Sequence, residues 1–190
     1  MGRTPMVVVA VPSFPYFTIH GLWPTNKTGR VESCSTTAFD VKLLNATLTN
    51  QLKQQWPNLL VGQDDTFWKH EWKKHGTCSE NKFDLPNYFQ LTINIKQRLD
   101  IHGILVAAGY APTQNKQFND TDLIRVIKAK TGFEPELYCQ SVNINRVRHI
   151  FLTEIVLCLN PDGVDYTSCP PTTNSAVALC KSNLFEFPVK

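Results

Sequence analysis

The chain has 190 residues, enough for one domain with a sizeable core. Its 19 Lys and Arg against 16 Asp and Glu leave a net charge of +3, which tolerates contact with RNA but is no footprint of a strong non-specific nucleic-acid binder. No internal repeat, low-complexity tract or apolar stretch of membrane-spanning length is present.

From the start, Met6-Val7-Val8-Val9-Ala10-Val11 is a short apolar run broken by Pro12. It is too short for a membrane span and is a poor signal peptide. It reads either as a strand pairing at a sheet edge or as an artefact of the gene start, with a slight lean to the second. Tyr16 to Pro24 then reads as a strand ending in a Gly turn, with His20 at its end, a common place for reactive groups. A lone histidine is more often structural. Asn26-Lys27-Thr28, Asn45-Ala46-Thr47 and Asn119-Asp120-Thr121 are glycosylation sequons, which suit a secreted protein. Asp40 to Gln55 has a helical pattern with Val41, Leu44, Leu48 and Leu52 on one side, ended by Trp56-Pro57.

Phe67 to His75 reads as a helix closed at Gly76. At roughly 100° per residue, and with His70 at zero, Lys74 falls at about 40°, Phe67 at about 60°, Glu71 at about 100° and His75 at about 140°. One arc gathers two imidazoles, a carboxylate and an ammonium beside an aromatic ring. Trp68 and Trp72 lie beyond His75 and can enter a core, and Lys73 points to solvent. A polar helix face is often just a wet surface, but two histidines flanked by tryptophans argue for more. The run resembles a zinc helix, yet its histidines are i and i+5, about 140° apart with a lysine between, where zinc needs i and i+4. No metal and no cofactor is expected.

Further on, Tyr88 to Leu99 is an amphipathic helix with Phe89, Ile93 and Ile95 toward the core. Asp122 to Lys130 is another, ended by Gly132. Arg148 to Leu159 is a long strand, Asn160-Pro161-Asp162-Gly163 a turn, and Val164 to Cys169 an antiparallel return. His102 and His149 read as structural. The six cysteines allow 15 pairings and form no C-x-x-C pair. A Cys158–Cys169 bridge would staple the hairpin across the Asn160 turn.

Phe17-Thr18-Ile19-His20-Gly21-Leu22-Trp23-Pro24 together with His70-Glu71-Trp72-Lys73-Lys74-His75-Gly76-Thr77-Cys78 resembles the two active-site segments of the ribonuclease T2 family, which includes plant S-like ribonucleases and the S-ribonucleases of self-incompatibility. The resemblance runs from about Phe17 to near the C-terminus. It divides the chain into an unmatched segment, residues 1–16, and one catalytic domain, residues 17–190. It implies an endoribonuclease that cleaves single-stranded RNA, not DNA, by metal-free transesterification through a 2′,3′-cyclic phosphate.

In that pattern His75 is the general base, His20 the general acid, and His70 the phosphate holder, while Glu71 and Lys74 stabilise the pentacovalent transition state. Trp23 would lie under a base, and Asn58, Leu59, Leu60 and Phe67 match a second base site. Core packing is an equal alternative for Leu59 and Leu60. Thr25 stands where some relatives carry an acid favouring purine, and a base-binding glutamine upstream has no counterpart. The pattern also pairs Cys34–Cys78, Cys139–Cys180 and Cys158–Cys169. The implied fold is α+β, an antiparallel sheet with helices packed against one side and three disulfides.

Three disulfides imply an oxidising compartment, extracellular or vacuolar, although no convincing signal peptide is present. A monomer is expected, with Asn26, Asn45 and Asn119 available as N-glycan sites. The alternative is a catalytically impaired storage or RNA-binding protein on the same fold, motivated by the altered N-terminus and opposed by the intact histidines.

Overall fold

The computed structural model describes residues 4–10, 17–26, 29–111, 116–169, 180 and 184–187. The expectations for Val11, Tyr16 and Lys27-Thr28 lie outside these residues. The strands are β1 (Thr4–Ala10), β2 (Phe17–Leu22), β3 (Thr25–Asn26), β4 (Gly29–Arg30), β5 (Gln117–Asn119), β6 (Glu136–Ile144), β7 (Val147–Leu159), β8 (Tyr166–Thr167) and β9 (Leu184–Glu186). The helices are α1 (Ala46–Gln55), α2 (Asp64–Lys74), α3 (Leu85–Arg98), α4 (Ile101–Ala107) and α5 (Asp120–Thr131).

β7 is the spine of the sheet. β6 pairs with it from Val147 to Val156, and β1 pairs with it from Glu154 to Leu159. Both partners reach Glu154, so they flank β7 on opposite sides. β2 closes the β1 side antiparallel, giving the order β2-β1-β7. The apolar run near the start is therefore a strand inside the sheet and not at its edge. The sheet is antiparallel except where Phe151 of β7 meets Glu186 of β9 in parallel register.

Apolar side chains from the helices and from one face of the sheet form one large core, including Trp56, Trp68, Trp72, Tyr88 and Phe89. Ile155, Leu157 and Leu159 enter it from β7, whereas Val156 and Cys158 join Trp23 and Tyr138 in a smaller cluster. This is the period-2 alternation of a strand covered on both faces.

Several boundaries move for local reasons. Val41–Leu43 is a 3-10 turn, and Asn45 begins a new helix by accepting from the Leu48 N–H at 2.9 Å. Asn is a strong N-cap, so the single helix expected from Asp40 is split, and Val41 is exposed while Leu44, Leu48 and Leu52 are buried. α3 starts three residues early, at Leu85, because Asp84 caps it and Pro86 fits its first turn. α5 ends at Gly132 with φ +80°, the left-handed C-cap expected of glycine. β6 and α4 have no counterpart among the expected elements.

All three cysteine pairs are bridged: Cys34–Cys78, Cys139–Cys180 and Cys158–Cys169. Among the described residues, no helix is long and apolar enough to cross a membrane.

Candidate active site

α2 begins at Asp64, earlier than the expected Phe67, and runs to Lys74 with His75 as its C-cap. Gly76 does not terminate the chain direction by a left-handed turn; it opens a 3-10 turn, Gly76–Cys78, packed on Trp72, whose ring a Cβ would strike. Burial follows the helical arc. His70 is exposed, Lys74 and Phe67 are half-buried, and Glu71, His75, Trp68 and Trp72 are buried. The polar arc thus runs from solvent into the protein, with Lys73 and Lys69 on the wet side.

His20 lies within β2, not at its end, because the strand continues through Gly21 and Leu22. In the pairing with β1, Ile19 faces Val8 and Gly21 faces Val7, so His20 is the extra residue of a β-bulge. Bulges re-aim a side chain and recur beside active sites. The imidazole that results stands against Glu154, Phe67 and Trp23 among its neighbours. Its Nδ1 is 2.9 Å from Oε1 of Glu154 on β7. The Phe67 ring stacks on it at 6.1 Å, and the Trp23 indole meets it edge-on at 5.0 Å.

Trp23 joins the two motifs. Its indole is 5.0 Å from the His75 ring as well, and its N–H donates to Oε2 of Glu71 at 3.0 Å. At 5 % exposed it packs between the two imidazoles. The site's backbone is stitched by other side chains. Trp56 donates to the His20 carbonyl at 2.8 Å, Trp68 to the Trp56 carbonyl at 2.8 Å, and Tyr88 to the Leu22 carbonyl at 2.7 Å.

Glu71 is 2 % exposed. Burial raises its pKa to about 7, against the opposing pull of His20, the Trp23 hydrogen bond and Lys74, and Glu154 adds a smaller upward push. Near neutrality a substantial share of Glu71 is a neutral acid able to donate a hydrogen bond, as buried carboxyls in other enzymes do. Tyr88 is fully buried beside this carboxyl, and both facts hold its hydroxyl well above the usual pKa, so it remains a donor. Lys74 reaches Glu32 at 3.5 Å with both side chains about two-fifths exposed, and the Ser33 N–H donates to the Lys74 carbonyl at 2.8 Å.

Asn58, Leu59 and Leu60 lie in the loop that leads into α2. The Asn58 N–H donates to Asp64 at 2.7 Å, and Asn58 Oδ1 accepts from the Leu60 N–H at 3.0 Å. Leu60 is 84 % exposed, which rules out core packing for it, and Leu59 is half-buried. Glu154 and Glu32 were absent from the candidates drawn from sequence. Glu154 carried one available signal, a carboxylate set in an otherwise apolar stretch of strand. Among the described residues, no group of three or more His, Cys, Asp and Glu converges as metal ligands would.

The family model of the ribonuclease T2 family matches residues 6–169, and so includes most of β1. The chain is 37% identical to ribonuclease 1 of Arabidopsis thaliana over 158 residues, covering 81% of this chain and 66% of that protein. It is 35% identical over 162 residues to ribonuclease MC of Momordica charantia, covering 84% and 82%. The structure of ribonuclease MC1 from bitter gourd seeds superposes with a TM-score of 0.83 at 30% identity, covering 98% of this chain and all of that one.

Proposed function

The chain belongs to the ribonuclease T2 family, and from that membership we propose that it cleaves single-stranded RNA by acid–base transesterification with His20 and His75 as its two proton carriers. The observation that carries this reading is the placement of two imidazoles from distant parts of the chain, each 5.0 Å from the Trp23 indole.

The substrate's own 2′-hydroxyl is the nucleophile. His75 takes its proton, the oxygen attacks phosphorus, and His20 protonates the departing 5′-oxygen, leaving a 2′,3′-cyclic phosphate. Unperturbed imidazoles titrate near pH 6.5, so both roles are available near neutral or mildly acidic pH. Each positioned acid or base contributes roughly 10²- to 10⁴-fold. Lys74 supplies positive charge to the phosphorane, and neutral Glu71 a hydrogen bond, without the repulsion that an anionic carboxylate would add. His70, exposed one turn before Lys74, holds the phosphate from the solvent side. DNA lacks the 2′-hydroxyl and cannot follow this route.

The half-buried Phe67 ring and the Asn58–Leu60 loop are the surfaces for a base, with the exposed Leu60 available to lie against one. The three disulfides fit a route through an oxidising compartment. Of the sequons, Asn26 is exposed. Asn45 and Asn119 use Oδ1 as helix caps, and a glycan would attach to the other atom, Nδ2.

The test is digestion of a single-stranded RNA and its DNA equivalent in EDTA, with analysis of the product ends. RNA-only cleavage with cyclic ends, lost in His20→Ala and His75→Ala, is expected. Cleavage abolished by EDTA, or retained in both variants, would overturn the assignment.

A further inference from the structure

We propose that Glu154 is a positioning residue for the cleavage reaction: from β7 it holds His20 by Nδ1, which turns Nε2 to the scissile phosphodiester with the proton that the leaving oxygen receives. This rests on His20 being the general acid.

The geometry is specific. β2 and β7 are not neighbours, because β1 lies between them. Strands lie about 4.8 Å apart, so the two side chains bridge roughly twice that distance over β1. A distortion in each strand accompanies the contact. His20 is the extra residue of the bulge against β1. On β7, Tyr138 of β6 faces Glu154 and Cys139 faces Leu152, so Thr153, next to Glu154, is the extra residue there. The result is an Nδ1–Oε1 distance of 2.9 Å, with side-chain exposures of 34% for His20 and 12% for Glu154.

The surrounding sequence gives Glu154 no other reason to be a carboxylate. The five residues after it, Ile155, Val156, Leu157, Cys158 and Leu159, are all buried and apolar. Burying a carboxylate without a partner is expensive; pairing it with an imidazolium offsets that cost. Among the described residues, the titratable groups facing His20 include Glu154 from β7 and Glu71 from α2, with Lys74 beside Glu71 and His75 across Trp23. Phe67 and Trp23 bear on the imidazole ring, and with Nδ1 engaged by Glu154 the nitrogen that delivers the proton to the leaving oxygen is Nε2. A neutral His20 held in this way carries its proton on Nδ1. It acquires the Nε2 proton only as the imidazolium, the form that the carboxylate favours.

The test compares two substrates. One is a ribodinucleotide whose 5′-nucleoside must be protonated to leave. The other is a uridine 3′-(4-nitrophenyl phosphate), whose phenolate leaves without a proton. Glu154→Gln should lower kcat on the dinucleotide roughly 10- to 100-fold, with KM within about 3-fold, and should leave the aryl ester almost unchanged. It should also move the basic limb of the kcat/KM profile to lower pH, because His20 loses the anion that keeps it protonated. Glu186→Gln removes the partner of His149, a second His–Glu pair with a 3.0 Å contact further along β7, and should change neither rate.

If His20→Ala slows both substrates alike, the general-acid reading itself falls. If His20→Ala is selective but Glu154→Gln has the parent's kcat and basic limb, Glu154 does no positioning. Equal slowing of both substrates by Glu154→Gln would mean a merely structural role and overturn the proposal. The ¹⁵N shifts of His20 in the unmodified protein give an answer independent of the variant's folding. An Nδ1-protonated neutral form is expected, and an Nε2-protonated one would sink the idea.

Discussion

The Trp23 indole donates to Oε2 of Glu71 directly over the backbone of Gly21, where a Cβ would overlap both bonded atoms. Gly21 follows the bulged His20, so the same two residues set the direction of the imidazole and clear the path that ties Trp23 to α2. Gly21→Ala must break this bond or displace β2. We expect about a 10²-fold loss of kcat, as for an ångström-scale misplacement, and a loss of roughly 1–3 kcal/mol in stability from overpacking. Steady-state kinetics and urea unfolding on the same preparation check both. Parent-like kcat in the variant would show that the Trp23–Glu71 bond does not matter to turnover.

Glu71 should make the fold less stable as pH rises. Its pKa in the folded protein is about 7, against 4.5 for an ordinary glutamate. Between these values the folded state binds more protons than the unfolded state, so stability falls with increasing pH. The contribution is full below the unfolded pKa and is lost as pH passes through the folded one. At about 1.36 kcal/mol per unit, the whole change is about 3 kcal/mol. Glu71→Gln should remove this slope and be more stable than the parent at about pH 8, while losing activity. Urea unfolding near pH 4.5 and pH 8, compared between parent and variant, measures it. Identical pH dependence in the two would mean that Glu71 does not titrate in this range.

The parts of the site legible in the sequence are those whose geometry is local. Helical periodicity put His70, Lys74, Phe67, Glu71 and His75 on one arc, and in the structure that arc runs from the exposed His70 to the buried Glu71 and His75. Asn45 was read as a sequon, yet its side chain also divides one expected helix into two elements. β6 was missed because its distal half, from Gln140 to Ile144, is exposed throughout and offers only Val142 and Ile144 as apolar residues. α4 was missed because it is short and carries Gly103, while Asp100 caps it through that glycine's N–H. β1 was read with a slight lean to an artefact because its pairing with β7 is made with a strand that only the folded sheet brings near. Glu154 is the sharpest case: its partner lies 134 residues away, on the far side of β1. No local pattern encodes such a contact, although the carboxylate's place in an apolar run hinted at a reason.

The disulfides should separate stability from activity. Cys34–Cys78 spans 44 residues and Cys158–Cys169 spans 11. Loop-closure entropy assigns about 4 kcal/mol to the first and about 3 kcal/mol to the second. Only the first ends beside the catalytic helix, where Ser33 bonds the Lys74 carbonyl and Glu32 meets the Lys74 ammonium. Replacing both members of Cys34–Cys78 with serine should therefore lower kcat about 10-fold or more as well as stability. The same change at Cys158–Cys169 should lower stability and leave kcat within about 3-fold. Equal kinetic effects from the two would remove the argument that the 31–34 segment holds Lys74 in place.

Trp56 offers the last test, because it reaches His20 through the backbone alone. Each of the four tryptophans donates its N–H: Trp23 to Glu71, Trp56 to the His20 carbonyl, Trp68 to the Trp56 carbonyl and Trp72 to the Thr37 carbonyl. The Trp56 ring is fully buried against Tyr88 and Phe89. Trp56→Phe keeps an aromatic ring there but removes the donor to the bulged residue. Loss of the hydrogen bond costs about 1–3 kcal/mol, and the smaller ring leaves a void that adds about 1 kcal/mol. With the His20 carbonyl released from this donor, the bulge can relax and the imidazole drift from Glu154. We expect kcat to fall about 10-fold with KM little changed, since Trp56 touches no substrate. If stability drops as expected while kcat holds, the bulge is fixed by its pairing with β1 and Trp56 is only part of the core.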